Sequence, residues 1–403
     1  MRGIATIYRA AHWKLRYTAV ALGFVCATLG NRPIVLAQAA SPVSPEDKSR
    51  AMFGDFIRDY ASARHFNGSL RVEEDGAPLF AGSFGIADRA FNVPCADDTR
   101  YRIASITKAF TAVIVLQLVE EKKIDLDQPI KHYLSNYSGE GADVVKIRML
   151  LNHTSGLPNA DAAYNSVAHA LATGMPHYQL PATPDQLIER YYSGKLLNQP
   201  GRVFSYNNAD YIVLGRIIES VSGKSFEQVL DERILAPLGM HDTGLLRQSE
   251  IVSRLAPTYF SPEKGAALIN DMPVYVENWF AAGGMYSTTG DLMKFARALY
   301  GGKLLSATSL DLMLRPGLDG YGFGVWIGTP TFGGRTYRNV NRPGGVMGAN
   351  GSFYHFNGVG FTKNINIVIL SNTDLTDMDA FSWDIGMRLL DSATGDPSAQ
   401  RGK

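Results

Sequence analysis

The sequence predicts an α/β (α+β) fold: a mainly antiparallel sheet built from both chain ends, flanked by helices, with an inserted all-helical lobe. Three observations predict it. Strand-like runs lie at residues 67–88 and again from Tyr321 to Thr373. Helical patterns bracket those runs, an amphipathic one at 49–64 and an apolar one at 381–393. Between them, residues 125–260 read as helices joined by long loops rich in Pro, Gly, Asn and Tyr. With 403 residues the chain is long enough for two lobes, and a cleft between lobes is the usual place for a site. No internal repeat is visible.

Each element has a local reason. Met52, Phe53, Phe56, Ile57 and Tyr60 recur at helical spacing. NGSLRVEEDG and PLFAGSFGIAD alternate like strands around Asp75-Gly76, a strong hairpin signal. Residues 104–122 form an apolar helix. ADYIVLGRIIESVSG is a second clear helix, stopped by Gly223. YGFGVWIGT, GSFYHFN and INIVILSNT are strands, and FSWDIGMRLLDSA is a closing helix. The expected boundaries are an α/β lobe of 49–124 plus 275–395, a mainly helical lobe of 125–274, and a flexible tail of 396–403.

Residues 1–39 look like a signal peptide. Arg2, Arg9, Lys14 and Arg16 precede an apolar run, YTAVALGFVCATLG, too short for an ordinary spanning helix, and Ala37-Gln38-Ala39 offers a cleavage site. The long basic region leaves an uncleaved membrane anchor as the alternative. Residues 40–48 then read as a linker. Either way the protein is expected to be exported, periplasmic or secreted. The leader holds five of the 39 Lys/Arg and none of the 38 Asp/Glu, so the remainder carries a net charge of −4. A mildly acidic chain argues against nucleic acid as a partner. Of the two cysteines only Cys95 lies beyond the leader, which excludes an intramolecular disulfide in the mature chain.

No H-E-x-x-H, Cys/His cluster, phosphate-binding loop or G-x-S-x-G elbow occurs, so no metal and no cofactor is expected. What remains is Ser105-x-x-Lys108. On a helix, positions i and i+3 share a face, which brings the lysine to the serine hydroxyl. A serine becomes nucleophilic when a neighbouring base takes its proton, and a buried lysine with a depressed pKa can do so. The spacing alone is weak evidence, since Ser261 and Lys264 match it inside a Pro/Gly loop. Context strengthens it. AFTAVIVLQLV is apolar around nearly its whole circumference, and a lysine is rarely buried unless paired. The bland alternative is a Lys108 that snorkels to solvent from the helix start.

IASITK, then LLNHTSGLP at 150–158, PGRVFSYNNADYIVLGRIIESVSG at 200–223 and AAGGMYSTTGDLMKFARAL at 281–299 together resemble the serine β-lactamase and penicillin-binding protein family. The branch resembled is that of class C β-lactamases, D-alanyl-D-alanine carboxypeptidases and related esterases, over most of residues 50–390. The resemblance implies the β-lactamase/transpeptidase-like fold and an acyl-enzyme on Ser105. The family's Y-x-N motif is matched by Tyr206-Asn207-Asn208. It implies Tyr206 as the general base, or as sharing the proton with Lys108, and Asn208 as a partner of Lys108 or of a substrate amide. Read without the family, the same segment is a helix cap with Asn208 as the capping residue.

The third motif departs from the family's K-T-G or H-T-G. Arg342-Pro343-Gly344 stands there. Pro343 has no hydroxyl to bind a substrate carboxylate. Arg342 is left either to pair such a carboxylate or to depress the pKa of Tyr206. The backbone at Gly344 permits close approach, and the N–H groups of Ser105 and Gly345 form the expected oxyanion hole. The bland alternative is a Pro-Gly turn. His153 is expected to satisfy backbone groups in a turn rather than to act in catalysis. Trp279 and Tyr286 are expected near the cleft. The expected function is a serine hydrolase of small-molecule or peptide amides or esters. A non-catalytic protein that binds cell-wall peptide or a partner is the alternative.

Overall fold

Strands from the two chain ends meet in one sheet because their alternating apolar residues need cover on two faces. The computed structural model describes residues 45–163, 167–263, 265–332, 335–358 and 364–392. The leader, Lys264 and the 396–403 tail lie outside the described residues. In chain order the elements that position the site are α1 (Pro45–Ala63), β1 (Gly68–Glu74), β2 (Ala77–Phe84), α2 (Thr107–Glu120), α3 (Asn208–Ser222), α4 (Thr289–Tyr300), β3 (Trp326–Gly328), β4 (Arg335–Val346), β5 (Ala349–Gly358), β6 (Asn364–Ser371) and α5 (Met378–Ser392). The sheet runs β3-β4-β5-β6-β1-β2, with Thr331–Phe332 paired onto β4, and each pairing is antiparallel. Gly68 of β1 stands opposite Ser371 of β6, which joins the ends. Asp75 and Gly76 both take positive φ (51° and 79°), as a tight hairpin turn requires.

Successive β6 residues face opposite sides. Ile365, Ile367 and Ile369 pack with Phe53 and Ile57 of α1 and Phe381 and Ile385 of α5. Val368 and Leu370 face a larger core that contains α2, α3 and α4. There Phe110 of α2 stacks on Phe295 of α4 with ring centroids 3.9 Å apart. That core also takes in Leu150, Ile212 and Leu230 from the middle of the chain, so α2 is enclosed on all sides. This is why its sequence carries no polar stripe.

The structure departs from the expected elements in four places. Helix α1 already begins at Pro45, inside the stretch read as a linker. The expected helix 104–122 begins as a short 3₁₀ turn, Ala104–Ile106, because Ala104 takes a left-handed φ of 43° and bends the chain ahead of α2. Only Trp326–Gly328 of YGFGVWIGT forms a strand; Gly322 and Phe323 instead bond to Val325 O and Met313 O. The 125–274 segment is not all helix. Gly244–Leu245 pairs with Met285–Ser287, and Tyr259–Phe260 pairs with Ile269–Asn270. These pairs satisfy backbone groups where connections cross the α/β part.

Candidate active site

Lys108 points inward. It is 0% exposed, and its Nζ donates to Ser105 Oγ (3.0 Å), Asn208 Oδ1 (2.7 Å) and Ala282 O (2.8 Å). Asn208 Oδ1 and Ala282 O can only accept, so two of its protons are held. The third position, towards Ser105, is free to give or take a proton. Phe280 makes this possible. Its unusual backbone (φ 42°, ψ −127°) turns the chain so that Ala281 O accepts from Thr111 Oγ1 (2.7 Å) and Ala282 O from Lys108. Such strain persists only where surrounding structure enforces it.

Tyr206 arrives from the other side, just ahead of α3. Its hydroxyl lies 2.8 Å from Ser105 Oγ. Asn207, not Asn208, caps α3 by accepting from Ala209 N–H, which leaves the Asn208 side chain facing Lys108.

Arg342 does not form a turn; it sits within β4, opposite Phe353 of β5. It is 1% exposed. Its Nη2 donates to Tyr206 OH (2.6 Å), its Nη1 to Tyr321 OH (2.9 Å) and its Nε to Ser105 O (2.7 Å). Of the two expectations for this residue, pairing a substrate carboxylate and tuning Tyr206, the geometry provides for the second. Gly344 also lies beneath the cleft rather than in it. A Cβ there would stand 2.2 Å from Ile103 O, so glycine is what lets β4 press against the Ser105 turn. Gly345 does line the cleft, with nothing within 4 Å of its Cβ position.

The electrostatics follow from burial among cations. Burial pushes Lys108 down to about 8, and Arg342 adds to the shift while Tyr206 opposes it. Burial would push Tyr206 up, but the charges of Arg342 and Lys108 outweigh it and bring the phenol down to about 8. The two groups thus share a titration range and act on each other directly, with Lys108 Nζ 4.8 Å from the centre of the Tyr206 ring.

The cleft encloses about 270 Å³. Ser105, Tyr206, Asn208 and Gly345 line it together with Asn159, Asp161, Met175, Tyr178, Trp279 and Val346. Trp279 is therefore where expected, stacked on Tyr178 at 4.1 Å. Tyr286 is not in this lining; it pairs in the short strand Met285–Ser287 with Arg100 over its ring. Ser261, the rival S-x-x-K serine, donates to Glu263 O and Ala266 O within its loop.

His153 is fully buried, and its Nδ1 lies 2.8 Å from Asp210 Oδ2, so its main partner is a carboxyl group and not only the backbone. Burial, with Lys108 and Arg342 nearby, drives the imidazole well below its ordinary pKa. Burial likewise raises Asp210 well above the carboxylate range. This buried hydrogen-bonded pair backs the Tyr206 ring, 4.5 Å from the imidazole.

Sequence reasoning missed Asp161, Tyr321 and Trp326. Asp161 Oδ2 accepts from Asn208 Nδ2 (2.7 Å), and Asp161 Oδ1 accepts from Tyr178 OH (2.7 Å). This fixes the Asn208 amide so that its oxygen faces Lys108. Trp326 stacks on Tyr206 at 5.8 Å. Nothing in NADAAYN or YGFGVW marks these residues, whose roles come from contacts far along the chain.

Comparison with known proteins agrees with this fold. The beta-lactamase family model matches residues 53–391, and the chain belongs to that family of serine β-lactamase-fold hydrolases. It is 28% identical over 283 residues to a penicillin-binding protein of Bacillus subtilis (strain 168), which covers 65% of this chain and 59% of that protein. It is 28% identical over 257 residues to an esterase of Burkholderia gladioli, covering 57% of this chain and 64% of that one. The chain thus spans less than two thirds of these relatives' own length. Among solved structures, D-amino acid amidase from Ochrobactrum anthropi SV3 superposes with a TM-score of 0.68 at 25% identity, covering 86% of this chain and 99% of the amidase.

Proposed function

We propose that this protein is a serine hydrolase that forms an acyl-enzyme on Ser105 with amide or ester substrates. One observation carries the reading: Ser105 Oγ lies within hydrogen-bond distance of both Lys108 Nζ (3.0 Å) and Tyr206 OH (2.8 Å), each held near a pKa of about 8. A base poised near the working pH is what serine activation needs.

In this reading Ser105 Oγ attacks the substrate carbonyl carbon as its proton passes to the Lys108–Tyr206 pair. The carbonyl oxygen gains the negative charge and is met by the N–H groups of Ser105 and Gly345. The C–N or C–O bond then breaks, and the leaving group takes the proton from the pair. Water, deprotonated by the same pair, attacks the ester carbon and releases the acid and free Ser105.

Candidate substrates are D-alanyl peptides, β-lactams and simple esters, and the amidase neighbour adds amino-acid amides. Pro343 offers no hydroxyl and Arg342 is committed to Tyr206, Tyr321 and Ser105 O. Strong recognition of a substrate carboxylate is therefore not supported. We place esters and peptides or amides ahead of β-lactams. With residues 1–39 as a leader, the enzyme works outside the cytoplasm.

The test is a panel of D-Ala-D-Ala peptides, a chromogenic cephalosporin, short-chain esters and a fluorophosphonate, read by rate and intact mass. One acyl adduct on the wild-type chain is expected, and none on Ser105→Ala. Turnover that survives in Ser105→Ala would overturn the proposal. Wall-peptide binding without any adduct would favour the non-catalytic alternative.

A further inference from the structure

The charge inventory of the cleft points to the kind of acyl group it accepts. Among the described residues that line it, Asp161 is the only charged one. The two cations nearest Ser105 are sealed off: Lys108 is 0% and Arg342 1% exposed, and their donors face protein oxygens. Asp161 differs, with 30% of its side chain exposed. Burial alone would raise its pKa, but hydrogen bonds from His177, Tyr178 and Asn208 outweigh that and keep it an anion. Oδ1 is filled by His177 and Tyr178, whereas Oδ2 accepts from Asn208 alone and keeps an acceptor site.

The wall beside Asp161 is apolar and aromatic. Met175 and Val346 line it, with Tyr178 stacked on Trp279 at an interplanar angle of 25°. Aromatic faces attract cations as well as apolar groups. A substrate carboxylate placed here meets an anion and no available cation.

We infer that the Ser105 cleft selects acyl donors that pair an apolar or aromatic body with an ammonium group, and that Asp161 is the specificity-determining residue. This rests on the acyl-enzyme reading above for its turnover arm, but not for its binding arm. Asp161 receives the ammonium as a charge-assisted hydrogen bond. Its contact to Asn208 makes it a positioning residue for Lys108 as well, so the readout must be selectivity and not rate alone.

Two measurements test it on the full chain and on Asp161→Asn. The first is titration calorimetry with 4-(aminomethyl)benzamide, 4-(hydroxymethyl)benzamide and 4-(carboxymethyl)benzamide. The second is kcat/KM for the p-nitrophenyl esters of the three corresponding benzoic acids, at a pH where the amine is charged. Wild type is expected to favour the ammonium over the carboxylate compound by roughly tenfold or more in both. Asp161→Asn, which keeps an acceptor for Asn208, is expected to bring that ratio to within about threefold. Equal binding of the three benzamides to wild type, or a ratio unchanged in Asp161→Asn, overturns the inference. Charge-selective binding without any ester turnover upholds it and removes the acyl-enzyme reading instead.

Discussion

Replacing Arg342 by Gln removes the positive charge held against Tyr206 while keeping a planar donor. The guanidinium Nη2 lies 2.6 Å from the phenol oxygen, and its carbon is 5.4 Å from the ring centroid. Taking the charge centres as about 4–5 Å apart, with an effective dielectric near 20, one unit charge contributes about 3–4 kcal/mol. At about 1.4 kcal/mol per pKa unit, that is roughly two to three units, of which repacking and water return part. The sign is the same for both bases. Arg342 lowers the pKa of Tyr206 and that of Lys108, so its loss raises both. Less of the basic form then exists at neutral pH. The assay is kcat/KM for an ester substrate from about pH 6 to 10. Wild type should rise through a limb near pH 8, matching Lys108 and Tyr206. Arg342→Gln should move that limb up by about one to two units and lose about 10–100-fold at pH 7, recovering as pH rises. Arg342→Lys keeps the charge and should keep the limb closer to wild type. A Gln variant that is slower at every pH, with its limb unmoved, would refute the reasoning and make Arg342 a purely structural residue.

Two further substitutions probe the packing that holds the site. Gly344→Ala places a Cβ 2.2 Å from Ile103 O and should cost about 1–3 kcal/mol in urea unfolding and displace Ser105; Gly345→Ala, with nothing within 4 Å, should unfold within about 0.5 kcal/mol of wild type. Equal stability of the two variants would contradict the close approach of β4 to the Ser105 turn. Phe110→Ala removes a fully buried ring stacked at 3.9 Å on Phe295 and should cost about 3–5 kcal/mol; a loss under about 1 kcal/mol would mean that α2 is not clamped from that side.

The sequence by itself determined the parts of this protein that depend on near neighbours in the chain. Period-two runs named the strands at both ends, and Asp75-Gly76 marked their hairpin. An apolar circumference announced that α2 is enclosed, and i, i+3 spacing put Lys108 beside Ser105. Only the tertiary structure decided where those groups point. Lys108 is held by Asn208, 100 residues away, and by Ala282, 174 away. Arg342 reaches Ser105 O across 237 residues and is spent inside the protein. Asp161 has no signature in its own segment, yet it orients Asn208 and carries the one charge among the described cleft residues. Residue type and spacing encode a side chain's period and its reach. Whether its charge is buried, paired or left facing a substrate depends on what the rest of the chain folds against it.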